Sequence, residues 1–163
     1  MKISILLPYK ENFTTTSAGA VSLFVNDMNK ESYFKNTTYI FGNTTSKKAL
    51  SKNYINLELK KKILQSTSKL YVESFLNYEK QNNSDLIEVH NRPNYIKLIK
   101  KEYKKKLILY FHNDPITMNG SKLKSERIYL LNNVDKIIFN SNWSKNRFFL
   151  SLKNKQLLSQ KTS

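Results

Sequence analysis

The chain is punctuated by short apolar runs that stop abruptly at a turn-forming or polar residue: "KISILLP" (2–8), "TTYIFG" (37–42), "DLIEVH" (85–90), "LILYFH" (107–112) and "VDKIIF" (134–139). Several of these runs are continuous, without strict alternation, so the strands they form hide side chains on both faces. That condition is met in a parallel sheet covered by helices on either side. The stretches between the runs carry the helical period. Val21, Phe24, Val25 and Met28 mark a first helix, with Thr16 or Ser17 as its expected cap. Leu70, Tyr71, Ser74, Phe75 and Tyr78 mark another. Tyr95, Ile96, Leu98 and Ile99 form the apolar face of a helix that Pro93 opens from its first position. Leu123, Arg127, Leu130 and Leu131 lie along a helix expected over residues 121–131, and "NWSKNRFFL" supplies the last, with Trp143, Phe148 and Phe149. Residues 43–68 are polar and least regular, with room for one short strand around Tyr54–Leu57 and a short helix.

Strands alternating with helices predict a Rossmann-like α/β three-layer sandwich with a mainly parallel sheet. Residues 1–150 are expected to form this domain, and "SLKNKQLLSQKTS" (151–163) a polar tail. A chain of 163 residues is long enough to bury a core, and 39% hydrophobic with 12% aromatic residues excludes a disordered polymer. The absence of cysteine excludes disulfides, thiolate metal sites and a cysteine nucleophile. In "MKISILLPYKE" the residues Pro8, Lys10 and Glu11 end the apolar run too early for a signal-peptide core, and no apolar stretch is long enough to span a bilayer. The expected location is the cytoplasm, with room for peripheral contact at the inner face of the membrane.

A formal net charge of +16 raises the prospect of a polyanionic partner. Nearly all of that charge is lysine, the arginines being Arg92, Arg127 and Arg147, whereas sequence-specific nucleic-acid readers lean on arginine. The abundance of Lys, Asn, Ile, Tyr and Phe also fits A/T-rich codons. The lysine runs at 60–62 and 104–106 therefore read as solvated ends of elements, with residues 52–64 as the segment that would meet an anionic membrane. A nucleic-acid module, with lysines on phosphates and aromatics stacked on bases, ranks lower because most aromatics fall on expected core faces. A non-catalytic interaction module would instead use Trp143, Phe148 and Phe149.

Both histidines of the chain stand where an apolar run ends, in "HNRP" (90–93) and "HNDP" (112–115). In an open parallel sheet, ligands bind beyond the carboxyl ends of the strands, so His90 and His112 are placed on the ligand side, and the Asn and Pro after each turn the chain away. Two histidines without cysteine are a poor zinc set even if Glu88 or Asp114 added a carboxylate. There is no G-x-S-x-G elbow, and glycines at 19, 42 and 120 alone build neither a dinucleotide fingerprint nor a P-loop. What remains is "SAGAVS", a small-residue turn leading into a helix whose N–H groups can receive a phosphate or a sugar hydroxyl, or which simply packs closely on the sheet.

Taken in order, "ISILLP" with "SAGAVSLFVNDM", "DLIEVHNRPNYI", "LILYFHNDP" and "SERIYLLNNVDKIIFNSNWSKNRF" resemble the N-terminal domain of GT-B glycosyltransferases of the retaining group called family four. The resemblance covers nearly all of residues 2–150, and its last stretch is the most specific. It implies a transferase that moves a sugar from a nucleotide sugar to a glycan or lipid-linked acceptor, as in cell-envelope polysaccharide synthesis, without metal or cofactor. By the resemblance, Gly19 and Ala20 would lie near the donor diphosphate, and His112 would reach the transferred sugar as the catalytic residue. His90, Asn91, Arg92, Asn113, Asp114 and Ser141 would line the acceptor side. Nothing in the sequence resembles the family's second, donor-binding domain. The expectation is a remnant or a fragment of a longer gene, ahead of one half of a split enzyme, and in each case a domain incomplete without a partner carrying the donor-binding half.

Overall fold

The computed structural model describes residues 1–45, 47–59 and 65–152. Along the chain these form β1 (Ile3–Leu6), α1 (Ala20–Glu31), a 3₁₀ turn (Lys35–Thr37), β2 (Thr38–Gly42), β3 (Tyr54–Asn56), α2 (Thr67–Asn82) and β4 (Leu86–His90). There follow α3 (Asn94–Glu102), β5 (Lys106–Phe111), a second 3₁₀ turn (Pro115–Thr117), α4 (Lys124–Asn133), β6 (Lys136–Phe139) and α5 (Asn142–Phe148). The strands make one six-stranded sheet in the order β3-β2-β1-β4-β5-β6. β1 with β2, β2 with β3, and β5 with β6 pair in parallel. This is the expected α/β three-layer sandwich. The chain divides into two compact units, Met1–Ile87 and Glu88–Ser163.

In the first unit all of β1 is buried, as a strand covered on both faces requires. Its one polar residue, Ser4, has a specific reason to be there. The buried Glu79 carboxylate of α2 accepts hydrogen bonds from the Ser4 and Ser84 hydroxyls, from the Ser84 N–H at 3.2 Å and from the Asn82 amide at 3.1 Å. Satisfied in this way, a carboxyl group can sit inside the fold. α2 begins at Ser66, whose hydroxyl accepts from the Lys69 N–H, and ends at Asn83 in the left-handed region. Tyr71, Val72, Phe75 and Leu76 form its buried face, and the Tyr71 hydroxyl donates to the Leu7 carbonyl at 3.0 Å.

Two expectations for α1 are corrected. Gly19, not Thr16 or Ser17, precedes the helix, and no side chain caps it. The buried face is Val21, Ser22, Val25, Asn26 and Asn29, and Met28 is exposed. A helix whose inner face carries small and amide side chains is misread when only apolar spacing is followed. The lysines at 60–62 and residues 153–163 of the expected tail lie outside the described residues, and Leu152 just before them is buried.

In the second unit, Tyr95, Ile96 and Ile99 of α3 are buried as expected. Pro93 already has helical backbone angles as the residue that precedes Asn94. α4 starts later than predicted, at Lys124, which leaves Leu123 exposed. The buried Arg127 donates to the carbonyls of Ser121, Lys122 and Leu150. Phe148 packs in an aromatic cluster with Phe111, Phe139 and Phe149, while Trp143 faces solvent with the Arg147 guanidinium over its ring. Gly120 has φ +91°, and an added Cβ would stand 2.5 Å from the Asn94 nitrogen, so only glycine fits this turn.

One device occurs in each unit. An aspartate just before a strand clamps the start of another: Asp85 accepts from the Lys2 N–H at 2.7 Å and donates its own N–H to the Lys2 carbonyl at 2.9 Å. Asp135 does the same with Leu107, at 2.8 and 2.9 Å.

Candidate functional site

His90 is the last residue of β4, and His112 follows the last residue of its neighbour β5. The Asn after the first histidine does more than turn the chain. Asn91 adopts the left-handed conformation, φ +56°, which its short side chain tolerates better than most residues do. There its N–H donates to the Tyr110 carbonyl at 2.8 Å, and its side-chain oxygen accepts from the His112 N–H at 3.3 Å. From the far side, the Asn140 amide, just beyond β6, donates to the His112 carbonyl at 2.7 Å. The backbone of His112 is thus held through both its polar groups.

The two imidazoles meet directly, with His90 Nδ1 and His112 Nε2 2.9 Å apart. His90 is buried, and its Nε2 lies 3.5 Å from the Glu88 carboxylate. Tyr110 stacks on both rings, with centroids 5.3 Å from His90 and 4.6 Å from His112. Burial, and secondarily the neighbouring His90, push the His112 pKa down to about 4, so that at neutral pH it is an uncharged imidazole. Burial and then the Glu88 charge raise the Tyr110 phenol, which keeps its proton. The strand ends therefore present a rigid, hydrogen-bonding ring system, with His112 neutral, suited to a polar, hydroxyl-bearing ligand.

Around this pair the other expected residues fall into place by their local chemistry. Asp114 accepts a two-pronged contact from Arg147 of α5, at 2.9 and 3.1 Å, and its carboxylate also accepts the Ile116 N–H of the following 3₁₀ turn. The Asn113 carbonyl accepts from the Ser144 hydroxyl at 3.2 Å, and Ser141 caps α5 by accepting the Ser144 N–H at 3.1 Å. Arg92 bends back to donate to the Asn91 carbonyl at 2.8 Å. Asn113, Asn140 and Ser141 are exposed; Asn113 follows His112 directly, and Asn140 reaches it through the bond to its carbonyl. Among the described residues no group of three or more His, Asp or Glu side chains is gathered closely enough to hold a metal ion.

Gly19 and Ala20 belong to the first unit, at the start of α1. Here the chain supplies its own anion. The Glu11 carboxylate accepts the Ser22 N–H at 3.2 Å, and a Cβ on Gly19 would come 2.1 Å from the same oxygen. Gly19 thus makes room for a carboxylate against the positive end of the helix. Sequence reading missed Glu11, Tyr110, Asn140, Ser144 and Arg147, and weighed Glu88 only as a metal ligand. Tyr110 had a signal, since it lies two residues before His112 and so on the same side of the strand. Glu11 and Arg147 had none, because their partners are distant in sequence.

Known proteins give the same fold. Sucrose-phosphate synthase from Thermosynechococcus elongatus superposes with a TM-score of 0.60 and 13% identity over 92% of this chain and 44% of that one. A shorter chain of the same enzyme gives 0.56 and 12%, over 93% of this chain and 82% of that one. The likeness is one of fold: a GT-B-like Rossmann domain that spans less than half of the longer synthase chain. No protein-family model and no curated protein matches the sequence.

Proposed function

We propose that this chain is the acceptor-side, N-terminal domain of a family-four-type GT-B glycosyltransferase. In this reading it works with a donor-binding domain, on this or another chain, to transfer a sugar from a nucleotide sugar to a glycan or lipid-linked acceptor. The observation that carries the reading is the imidazole pair at the carboxyl ends of adjacent strands, in a sheet whose fold is shared with sucrose-phosphate synthase. In this reading His112, neutral and clamped, touches the transferred sugar. His90 and Asn91 hold it, and Arg92, Asn113, Asp114 and Ser141 form the acceptor side.

The α1 terminus carries a condition on donor binding. A diphosphate that uses the N–H groups near Gly19 and Ala20 has to displace Glu11, or to bind against its charge. Glu11→Gln is therefore expected to tighten binding of nucleoside diphosphates several-fold. The test is calorimetric titration of the purified chain with a panel of nucleotide sugars and free nucleoside diphosphates, alongside His112→Ala and Glu11→Gln. Saturable binding of a nucleotide sugar, weakened by His112→Ala, supports the reading. Saturable binding indifferent to both substitutions contradicts it.

The high net charge favours one further surface role, contact with an anionic membrane. Lys104, Lys105 and Lys106 are exposed at the amino end of β5, the opposite end from His112, roughly 20 Å along a strand of this length. They suit an orienting surface and not the site itself.

A further inference from the structure

Trp143 is the only tryptophan of the chain, and it has no part in the reading above. It is the second residue of α5 and is 59% exposed. A single apolar residue at the surface means little by itself, so what surrounds the ring decides whether it has a task. One turn along the helix, Arg147 lays its guanidinium over the indole, 5.6 Å from the ring centroid. The same guanidinium is gripped by Asp114 through two bonds, at 2.9 and 3.1 Å. A two-pronged contact fixes the plane of an arginine and not only its position. The indole therefore rests on a backing set by a carboxylate from another loop, and its exposed area lies on the side away from the guanidinium.

That backing ties the ring to the strand-end loop. Three consecutive loop residues are each held from the α5 side: the His112 carbonyl by the Asn140 amide at 2.7 Å, the Asn113 carbonyl by the Ser144 hydroxyl at 3.2 Å, and the Asp114 carboxylate by Arg147. Trp143 stands in the middle of that series. Through the Ser144 bond its Cα is no farther than roughly 12 Å from that of Asn113, a span that roughly two or three linked pyranose rings would cover. The polar neighbours of the ring along the helix are the exposed amides of Asn142 and Asn146, uncharged donors and acceptors. A pyranose has the complementary form: one face of C–H groups to lie on an aromatic ring, and hydroxyls at its rim for amides to bind. An anionic bilayer would call for unpaired cations beside the ring, whereas Arg147 is neutralised by Asp114.

We propose that Trp143 is a specificity-determining residue of the acceptor side, the surface on which one pyranose of a glycan acceptor lays its C–H face while a neighbouring unit extends toward His112. This rests on the transferase reading only for the ligand's being an acceptor; the stacking itself requires only a pyranose. No bond is made or broken at Trp143.

The chain's single indole N–H gives one resonance, so the test reads that atom directly. The ¹⁵N-labelled full chain is titrated with the β-methyl glycosides of glucose, galactose and N-acetylglucosamine, with their β-linked disaccharides, and with sorbitol, which carries hydroxyls but no ring. A saturable movement of the indole resonance with at least one of these sugars, and none with sorbitol, is expected. Trp143→Phe keeps an aromatic face and should bind that sugar within about threefold of the wild type, whereas Trp143→Ala should bind it about tenfold more weakly. The side chain is exposed, so neither change opens the core. An indole resonance that stays still with every sugar up to its solubility overturns the proposal, since stacking needs no donor half. Saturable sugar binding, followed by backbone shifts, that Trp143→Ala leaves unchanged overturns it as well. So does an indole that answers only to phosphatidylglycerol vesicles, which would assign the ring to a membrane. Saturable nucleotide-sugar binding indifferent to His112→Ala and Glu11→Gln, with the indole response as expected, would remove the transferase reading and leave a carbohydrate-binding face.

Discussion

With its pKa pushed down to about 4 by burial and by His90, the His112 ring passes through the physiological range uncharged, and this has a consequence for stability. An unfolded histidine titrates near 6.5, so as pH falls from about 6.5 to about 4 the unfolded chain takes up a proton that folded His112 refuses. Stability from this residue is therefore full above the upper value, falls through the interval and levels off below the lower. Urea midpoints measured across that range should fall less steeply for His112→Gln than for the wild type. Asn91 gives a second prediction at this scale. Asn91→Gly keeps the left-handed backbone but loses the bond to the His112 N–H, for a cost of about 1 kcal/mol. Asn91→Val meets strain as well, and equilibrium unfolding should rank it clearly below Asn91→Gly. The histidines were legible as strand-end residues. Their pairing was not, because it depends on the register between neighbouring strands and on a left-handed turn that sequence does not specify.

Among the elements, strands were the most legible, since an apolar run ended by Asn, Gly or Pro has few other ways to fold. The faces of helices were less so. α1 buries Ser22, Asn26 and Asn29, and α2 buries Glu79, choices set by partners far along the chain and invisible to apolar spacing. The Glu79 network shows what such choices are worth. Glu79→Ala leaves the Ser4 and Ser84 groups buried without their acceptor, and chemical denaturation should show a loss of about 2–4 kcal/mol. Replacing Ser4 and Ser84 by alanine in the same variant should recover part of that loss, since the two hydroxyls are then gone and only the residue-84 N–H and the Asn82 amide still lack the carboxylate. Full additivity of the three changes would mean that the network does not act as a unit.

For the whole molecule, the fold class followed from the alternation of strands and helices, while the site followed only in outline. The residues after each strand were foreseen; Glu11, Glu88, Asn140 and Arg147, which set their electrostatics, were not. The charge of +16 separates into its own test. Binding to anionic vesicles should weaken as salt rises to physiological strength, and substituting Lys104, Lys105 and Lys106 by glutamine should reduce it without altering nucleotide-sugar affinity. The central claim is that the carboxyl ends of β4 and β5 hold a sugar-nucleotide ligand. Backbone amide shifts of the ¹⁵N-labelled chain, followed during titration with the nucleotide sugar that binds in calorimetry, test it most directly. The account predicts saturable shifts concentrated at Asn91, His112, Asn113 and Ser141; saturable shifts confined to other residues would contradict it.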